Sequence, residues 1–419
     1  MNDSIELPMP FYKRAGVEIR TIPVGPGVPL GIEKVSSPIL GIGGAYAGWG
    51  QVIDNDHLPA FVQERLGETL DEQETLHLSE LGFLNRHHLP LLSPEEDIEV
   101  EVEVGAQVLR EAASACGWSP EEVEGVLIGM SGPISKDYTE EISRKAGIPD
   151  SAVKVSVHKA CDSSVGGLHL ALNPSLLENQ RSGRNLAREL EGKKVLVGGI
   201  EGLSRLLRGS RDKQAYQLFG NGAGIIGIIP GKTMRFLVGK SHEVFDEEGV
   251  LEVRMMYPHS GRLAGSTSLI EVSNPSQNHI RVAGLMHEPE DESSVVMAGP
   301  MGMVKLFVRS GVEVVRDVYQ AYQDLMAELG NPEKSLATAI VHHANLKINK
   351  LKEKNLQKVG IRISMPWVLS EFGNVSAASN MIAFLRTLTT LKPGDHVLID
   401  GFGAGTYYDT LAVDLPGVP

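Results

Sequence analysis

One supersecondary pattern occurs twice in this chain, and this repeat limits the possible folds more than any other feature. When Cys161 is aligned with Asn374, the segment CDSSVGGLHLAL lies over NVSAASNMIAFL. Each segment begins with a polar residue, continues with small residues and becomes a helix with an apolar face. Two further matches follow in the same order: VLVGGI (195–200) with VLIDGF (397–402), and GAGIIGII (222–229) with GAGTYYDTLAV (403–413). Three ordered matches predict a duplicated α/β unit.

The repeat places a boundary near Pro230, between an N-terminal half, 1–230, and a C-terminal half, 231–419. A long mixed stretch at 242–294 has no counterpart in the first half. We interpret this stretch as an insertion that caps or shapes a substrate site. A surface elaboration without function is the alternative.

Apolar runs that end in glycine or polar residues alternate with helical segments. The runs at 124–131 and 338–344 predict buried strands. The segment 98–118 begins with alternating Val and Glu, which also permits a strand, but its continuation AQVLREAA favours one long helix. Strands separated by helices favour a mainly parallel sheet that is covered on both faces.

Composition excludes several classes of protein. The net charge of −14 argues against nucleic-acid binding, which requires a basic surface. The sequence has no run of eighteen apolar residues that would predict a membrane span, and the stretch 1–20 has no apolar signal-peptide core. Two cysteines form neither a disulfide framework nor a zinc motif, so we expect a cytoplasmic protein without a structural metal.

Cys161 is the candidate nucleophile. The small residues after it allow a strand to turn sharply into a helix, which would place the thiol at the positive end of the helix dipole. That position lowers the pKa of a thiol and favours the nucleophilic thiolate. The alternative is a buried structural cysteine, as we expect for Cys116 inside the amphipathic run REAASACGW.

Other polar residues at predicted strand ends complete a chemical set with Cys161. The run IVHHANLKI (340–348) ends a strand with two histidines, Asn374 lies in the turn equivalent to that of Cys161, and 400–409 is a glycine-rich turn. A thiol, an imidazole and a carboxamide can form an acyl-transfer site. The thiol attacks a thioester, and backbone N–H groups stabilise the oxyanion that results.

These motifs together resemble the thiolase-fold condensing enzymes, most closely the β-ketoacyl-acyl-carrier-protein synthase III type. The resemblance extends from about residue 36 to 415. The motifs that carry it are PILGIGGAYAG (38–48), GFLNRHHL (82–89), ACDSS around Cys161, FGNGAG (219–224), HHAN (342–345), GNVSAAS (373–379) and GFGAG (401–405).

The resemblance implies a duplicated five-layer α-β-α-β-α fold with mixed central sheets. It implies that Cys161, in the N-terminal half, accepts the acyl group. His342 and Asn374, in the C-terminal half, would hold the thioester carbonyl of the extender unit. The N–H groups of Cys161 and Ala404 would form the oxyanion hole.

Four further residues are assigned to substrate binding by the same resemblance. Asn345 matches a residue that orders the site through water, and Arg86 matches an arginine near the coenzyme A nucleotide. Lys347 replaces the usual arginine of the histidine motif. Tyr138, in the segment 132–141, matches a loop that closes the acyl tunnel of the partner subunit in a homodimer. A solvated loop charge is the alternative for Arg86.

The chain departs from the pattern of the family at His343, where glutamine is usual, and at Val375, where threonine is usual. One histidine must therefore be catalytic and the other structural, and the motif register favours His342. The terminal glycine loop lacks the second cysteine of degradative thiolases. The intact asparagine turn argues against the two-histidine elongating synthases, and no motif gives Glu124 the acid/base role found in hydroxymethylglutaryl-CoA synthases.

The resemblance implies a 3-oxoacyl thioester synthase of fatty acid biosynthesis. Acyl-CoA would acylate Cys161, and a malonyl thioester on acyl carrier protein or CoA would then condense with loss of CO2, without a cofactor or metal. Transfer of the acyl group to an oxygen or nitrogen nucleophile is the alternative reaction, and a catalytically silent subunit is a third possibility. Two basic clusters could dock an acidic carrier protein: 205–213, and the lysines Lys347, Lys350, Lys352 and Lys354.

Overall fold

The computed structural model describes residues 19–132, 135, 137–181, 183–243, 251–253, 271–273, 278–284, 293–297, 302 and 304–418. The stretch 1–18 and most of the insertion predicted at 242–294 lie outside these ranges. The described strands are β1 Arg20–Gly25, β2 Val28–Ser37, β3 Ile42–Trp49, β4 Gln51–Asp54, β5 Asn85–His88, β6 Gly125–Gly129, β7 Val153–His158, β8 Val195–Glu201, β9 Gly222–Ile228, β10 Arg235–Glu243, β11 Leu251–Val253, β12 Glu271–Ser273, β13 His279–Ala283, β14 Val295–Met297, β15 Leu336–Val341, β16 Asp395–Gly403 and β17 Tyr407–Leu415.

The helices of the same ranges are α1 Leu58–Leu66, α2 Pro94–Ala115, α3 Tyr138–Ala146, α4 Ser163–Leu172, α5 Leu177–Arg181, α6 Leu186–Leu190, α7 Leu203–Leu207, α8 Lys213–Leu218, α9 Gly311–Glu328, α10 Leu346–Lys358 and α11 Ser379–Leu388. The predicted helix at 98–118 is therefore confirmed. It begins earlier, at Pro94, because Ser93 and Glu96 form a capping box in front of the helix.

Two sheets carry the fold. A nine-stranded sheet has the order β1-β2-β3-β9-β8-β6-β7-β13-β12, and a four-stranded sheet has the order β10-β17-β16-β15. In the first sheet β6 pairs in parallel with β7 and β8, whereas β9 is antiparallel to both β8 and β3. Antiparallel pairs outnumber parallel pairs in the described sheets. The expectation of a mainly parallel sheet is therefore wrong, and the mixed sheets implied by the resemblance are confirmed.

Helices α4 and α11 form the middle layer. Their apolar side chains share one core with strands of both sheets, including Val165, Leu168, Ile382 and Leu385, all fully buried. Helices α2 and α3 cover the outer face of the large sheet, and α9 and α10 cover the outer face of the small one. The architecture is therefore the predicted five-layer α-β-α-β-α fold. The two helices of the sequence repeat, α4 and α11, pack against each other in its central layer.

The described parts of the insertion join the body of the fold. Strand β13 pairs in parallel with β7, the strand that leads to Cys161, and β11 pairs with β14. This part of the insertion therefore extends the large sheet next to the candidate nucleophile. The division into halves at Pro230 stays a prediction, although β10, the first strand of the small sheet, begins five residues later.

Candidate active site

Cys161 occupies a tight turn between β7 and α4. The preceding residue, Ala160, has φ = 49°, a left-handed conformation that L-residues other than glycine seldom adopt. The turn directs the Cys161 side chain inward, where it is 7% exposed, just before the first turn of α4. Its thiol is free. A strained turn before a buried thiol fits a reactive position better than a core cysteine.

The turn that carries Asn374 lies against Cys161. The Asn374 Oδ1 accepts a hydrogen bond from the Ser376 N–H at 2.9 Å, and its Nδ2 donates to the Ala344 carbonyl at 3.4 Å. The hydroxyl of Ser376, two residues further on, donates to the Cys161 sulfur at 3.2 Å. The structure therefore brings together the two turns that the sequence repeat aligned.

His342 lies between the end of β15 and the glycine-rich turn. Its Nδ1 is 2.5 Å from the Ser379 hydroxyl, and its ring lies edge-on to Phe402 with centroids 5.0 Å apart. Burial, with smaller contributions from the nearby His343 and Lys352, lowers the pKa of His342 to about 3. The ring is therefore neutral at physiological pH and can donate a hydrogen bond without carrying charge.

His343 is held by the backbone through both ring nitrogens. The Val368 N–H donates to its Nε2 at 3.1 Å, so Nδ1 carries the proton and donates to the Val341 carbonyl at 2.8 Å. Its ring packs on Trp367 at 4.5 Å. Because both nitrogens are occupied, this geometry supports the choice of His342 over His343 as the catalytic candidate.

The glycine-rich turn between β16 and β17 approaches the backbone of the nucleophile. A side chain at Gly403 would place its Cβ 2.9 Å from the Cys161 nitrogen and 2.6 Å from the Lys159 carbonyl oxygen, so only glycine fits there. Ala404 is fully buried and packs with Ala160. The predicted oxyanion-hole residues, Cys161 and Ala404, thus lie on two segments that touch.

The protonation state of Cys161 differs from the prediction. Burial, with a smaller contribution from the charge of Glu201, raises the pKa of the thiol to about 12. The hydrogen bond from Ser376 acts in the opposite direction but does not compensate. The expectation of a lowered pKa from the helix dipole is therefore wrong for this structure, and the thiol requires a base to react near neutral pH.

A small, mainly apolar cavity opens beside the thiol. Its polar lining consists of Cys161, Ser131 and Ser376. The apolar lining comes from several elements and comprises Leu203, Leu206, Leu207, Phe219, Val253 and Val295. Val253 belongs to the insertion, which supports its interpretation as a segment that shapes a substrate site.

Arg86 is not the solvated loop charge considered as its alternative. The residue is 0% exposed, its Nη2 donates to Asn55 Oδ1 at 2.8 Å, and burial lowers its pKa to about 10. A coenzyme A contact through this enclosed guanidinium stays a prediction.

Asn345 and Lys347 lie at the start of α10. Asn345 is the N-cap of the helix, and its side-chain oxygen accepts from the Ile348 N–H at 2.9 Å. Lys347 is exposed and forms an ion pair with Glu80. The structure therefore shows Asn345 capping the helix, a role that the sequence did not suggest, and it places Lys347 at the surface.

Tyr138 is buried within its own chain, which argues against its predicted role as a gate for a partner. It is 2% exposed, and its hydroxyl donates to the Glu101 carbonyl of α2 at 3.0 Å. The rest of the predicted gating loop, 132–141, lies partly outside the described residues.

The predicted docking lysines also need correction. Lys352 is fully buried and forms an ion pair with Asp400, so it cannot contact a carrier protein. In the second cluster, Arg205 pairs with Glu101 and Arg208 pairs with Asp97. The lysines of α10 that remain for docking are Lys347, Lys350 and Lys354.

Sequence reasoning missed three polar residues behind Cys161. They are Ser131, Glu201 and Ser376, which are 5%, 1% and 2% exposed. A sequence signal existed for Glu201, because an acidic residue that ends the apolar run VLVGGI is out of place in a buried strand.

The chain is similar in sequence to known proteins. The family 3-oxoacyl-[acyl-carrier-protein (ACP)] synthase III C terminal matches residues 326–415. A β-ketoacyl-[acyl-carrier-protein] synthase III from Nitratidesulfovibrio vulgaris is 26% identical over 371 residues, which cover 85% of this chain and 93% of that protein. A synthase III of Streptomyces avermitilis is also 26% identical, over 90% of this chain and 96% of its own length.

Solved structures share the fold. The 3-oxoacyl-[acyl-carrier-protein] synthase III from Aquifex aeolicus VF5 superposes with a TM-score of 0.59 at 18% identity, and covers 94% of this chain and 100% of its own. The 1,3,6,8-tetrahydroxynaphthalene synthase from Streptomyces coelicolor A3(2) also superposes with a TM-score of 0.59, at 13% identity, over 93% of this chain and 99% of its own.

The layered fold is therefore that of the thiolase-like condensing enzymes in these solved structures. The sequence is similar over most of its length to synthases of the 3-oxoacyl-[acyl-carrier-protein] synthase III type, and its C-terminal part matches their family model. Among the described residues, none of the helices has the length and apolar character needed to cross a membrane.

Proposed function

We propose that this chain is a 3-oxoacyl thioester synthase of fatty acid biosynthesis, and that Cys161, His342 and Asn374 are its catalytic residues. The observation that carries the proposal is the contact between the buried Cys161 thiol and the turn that holds Asn374. A neutral histidine and a glycine turn that touches the Cys161 backbone complete the set.

The first half-reaction transfers an acyl group to Cys161. The sulfur attacks the carbonyl carbon of acyl-CoA, a new C–S bond forms, and coenzyme A leaves with the electrons of the old bond. The N–H groups of Cys161 and Ala404 stabilise the oxyanion of the intermediate. The apolar cavity next to the sulfur, lined in part by Val253, would hold the acyl chain.

The second half-reaction forms the carbon–carbon bond. His342 and the Asn374 amide donate hydrogen bonds to the thioester oxygen of a malonyl unit, which stabilises the enolate that forms when CO2 leaves. The enolate carbon attacks the acyl-Cys161 carbonyl, and the thiolate of Cys161 departs. The products are a 3-oxoacyl thioester and CO2, so acyl-CoA and the malonyl thioester are substrates and the reaction needs no cofactor or metal.

The chemistry requires a carrier for the malonyl unit. The malonyl unit would be carried by acyl carrier protein or by CoA, and exposed lysines of α10 such as Lys354 offer a positive docking surface. We further propose a homodimer in the cytoplasm.

Mass spectrometry with a panel of acyl-CoAs tests the acyl-enzyme. We expect one acyl adduct on Cys161, loss of the adduct in Cys161→Ala, and an unchanged adduct in the matched control Cys116→Ser. An adduct that persists in Cys161→Ala, or no adduct with any acyl-CoA, would contradict the proposal.

A second assay separates the two candidate reactions. The acylated enzyme is supplied with a ¹⁴C-carboxyl-labelled malonyl thioester on CoA or on acyl carrier protein. Release of labelled CO2 together with a 3-oxoacyl product supports condensation. Acyl transfer to an alcohol or amine without CO2 release supports the alternative acyltransferase.

A further inference from the structure

Four buried side chains form a continuous chain from the nucleophile to a carboxylate. The Cys161 sulfur lies 3.2 Å from the Ser376 Oγ, the Ser376 Oγ lies 2.5 Å from the Ser131 Oγ, and the Ser131 Oγ lies 2.8 Å from the Glu201 Oε1. All four residues are at least 93% buried. Ser376 and Ser131 also line the small cavity beside the thiol, whereas Glu201 is not part of that lining.

Sheet register explains why Ser131 and Glu201 meet. The neighbouring parallel strands β6 and β8 pair Gly129 with Gly199, and each polar residue lies two positions beyond its glycine. Both side chains therefore lie just beyond the C-terminal ends of these two strands, on the same face of the sheet. Ser376 reaches them from the short 3-10 turn that precedes α11.

The hydrogen count of this chain allows two equivalent states. The Ser376 hydroxyl is placed as a donor to Cys161, but hydroxyl and thiol hydrogens can rotate, so this bond can also run from Cys161 to Ser376. With Glu201 ionised and Cys161 as a thiol, the three contacts are then satisfied by donation from Cys161 to Ser376, from Ser376 to Ser131, and from Ser131 to Glu201. With Glu201 protonated and Cys161 ionised, each of the three hydrogen bonds runs in the opposite direction, from Glu201 to Ser131, from Ser131 to Ser376 and from Ser376 to Cys161. A proton can therefore pass along the chain without any side chain changing place.

We propose that Glu201 is the proton acceptor for the Cys161 thiol during acylation, and that it acts through Ser131 and Ser376. The inference rests on the proposed function, because it assigns the base for the first half-reaction. Glu201 touches no substrate atom and is therefore a positioning residue for the nucleophile.

The step balances in atoms and charge. As the Cys161 sulfur bonds to the acyl carbon, its proton moves to Ser376, the Ser376 proton moves to Ser131, and the Ser131 proton moves to Glu201. The coenzyme A thiolate that leaves takes a proton from solvent, and Glu201 later returns its proton to solvent. The net change is transfer of one proton from Cys161 to coenzyme A.

The environment of Glu201 suits a base that works near neutral pH. Burial raises the pKa of its carboxyl to about 7, and hydrogen bonds from the Ser131 and Ala377 N–H groups keep the rise from being larger. The described hydrogen bonds of the His342 side chain run to Ser379 and not to Cys161. His342 is therefore a weaker candidate for this base.

Other titratable groups face this region from the packed elements. Tyr138 of α3 interacts electrostatically with Glu201, and Asp162 at the start of α4 interacts with Cys161. Glu101 of α2 lies next to Gly202, and Arg205 of α7 lies beside Glu101. Glu101 and Arg205 form an ion pair at 2.9 Å. Glu201 has no such partner among its described contacts, which leaves its carboxylate able to take a proton.

The test is the pH dependence of Cys161 acylation by acyl-CoA, followed by mass spectrometry. In the wild type we expect the rate to rise to a plateau as Glu201 ionises, with an inflection near pH 7. In Glu201→Gln we expect the rate at pH 7 to fall about 100-fold. In that variant the rate should then climb tenfold per pH unit towards pH 10 without an inflection, because the thiol must ionise directly.

Two further variants keep the test decisive. Ser376→Ala breaks the chain at its other end, so it should reproduce the profile of Glu201→Gln, and the double variant should be no slower than either single one. If Glu201→Gln does not fold, Ser376→Ala alone tests the proposal. Glu101→Gln changes a neighbouring buried carboxylate outside the chain and should leave the inflection in place.

Alkylation of Cys161 by iodoacetamide provides a readout that needs no substrate. If wild-type acylation fails but alkylation shows the same contrast between wild type and Glu201→Gln, the proposed function is wrong and the relay stands. If acylation proceeds and its pH profile is the same in wild type, Glu201→Gln and Ser376→Ala, the relay is overturned and the proposed function stands.

Discussion

At the scale of single residues, two adjacent histidines of similar burial have different surroundings. Both ring nitrogens of His343 form hydrogen bonds with the backbone, one with Val341 at the end of β15 and the other with Val368. His342 has one described hydrogen bond, to Ser379, and an aromatic neighbour. Their substitution should therefore affect different properties of the enzyme.

We expect His342→Ala to lower CO2 release from a malonyl thioester about 100-fold or more, because one donor to the enolate oxygen is lost. Acylation of Cys161 should change much less. His343→Ala should instead lower the urea midpoint, since two backbone groups lose their partners, and should retain most CO2 release per folded molecule. Loss of decarboxylation in a stable His343→Ala enzyme would contradict this division.

The left-handed turn before the nucleophile gives a second prediction at this scale. Because Ala160 has φ = 49°, Ala160→Gly should relieve backbone strain and raise the free energy of unfolding by about 0.5–1 kcal/mol, as measured by urea denaturation. The matched control is Ala339→Gly in strand β15, where the backbone is extended. There the same change should lower the free energy of unfolding by about 1 kcal/mol. Equal effects at both sites would contradict the strain at Ala160.

At the scale of elements, helix α10 is attached to the small sheet by a buried charge. Lys352 pairs with Asp400 of β16 and lies over the Phe402 ring at 4.8 Å. Thr410 donates to the other oxygen of the same carboxylate at 2.8 Å. The pair therefore fixes the helix that follows the HHAN motif against the strand that leads to the glycine turn.

We expect Lys352→Met to lower the free energy of unfolding by about 3–5 kcal/mol, because it leaves Asp400 buried without its counter-charge. Lys350→Met, on the same helix, removes an exposed pair with Glu353 and should cost less than about 1 kcal/mol. Chemical denaturation of both variants measures the difference. A similar small loss for both would show that Lys352 is not the anchor.

The elements that repeat in sequence are those that sequence patterns could predict. Helices α4 and α11 were predictable because small residues followed by apolar ones describe a helix that starts in a tight turn. Strand β13 was not predictable as part of the large sheet, since its partner β7 lies more than a hundred residues earlier. For the same reason the run of lysines predicts an exposed docking surface that includes Lys352, because the buried partner of Lys352, Asp400, is 48 residues away in the sequence.

The candidate site shows the same limit. Cys161, His342 and Asn374 each lie in a local motif, so their roles could be predicted from the resemblance. The contact between Ser131 and Glu201 depends on strand register, and the contact of both with Ser376 depends on how the two sheets pack. Neither strand register nor the packing of two sheets can be inferred from a local sequence pattern.

At the scale of the whole molecule, the fold encloses many histidines in its interior. Burial lowers the pKa values of five of them to about 3 or 4: His87, His88, His158, His342 and His343. Each stays neutral in the folded protein, whereas in the unfolded chain each takes up a proton below about pH 6.5. The unfolded state therefore binds more protons than the folded state between about pH 6.5 and pH 4.

The sign of the pH dependence follows from this difference. A histidine whose folded pKa is lowered contributes its full stabilisation above pH 6.5 and loses it as the pH falls, by up to about 1.4 kcal/mol per pH unit. Five such groups together would remove more than about 5 kcal/mol between pH 6.5 and pH 5, which is comparable to the stability of a typical domain. Glu201 acts in the opposite direction, because its raised pKa favours the folded state as the pH falls. Burial also raises the pKa values of Glu33, Asp97, Glu101 and Asp162, and on the histidine side it also lowers those of His242, His279 and His396.

We therefore expect the urea midpoint to be nearly constant from pH 8 to pH 7, to fall steeply below pH 6, and to reach zero urea above pH 4. Urea titrations across this range, with circular dichroism as the signal, measure the change. His87→Gln keeps a polar side chain that does not titrate in this range, so its midpoint should fall less steeply than that of the wild type. A midpoint that stays constant down to pH 4.5 would mean that the interior is open to protons in the folded state, which is incompatible with a neutral His342 at the reaction centre.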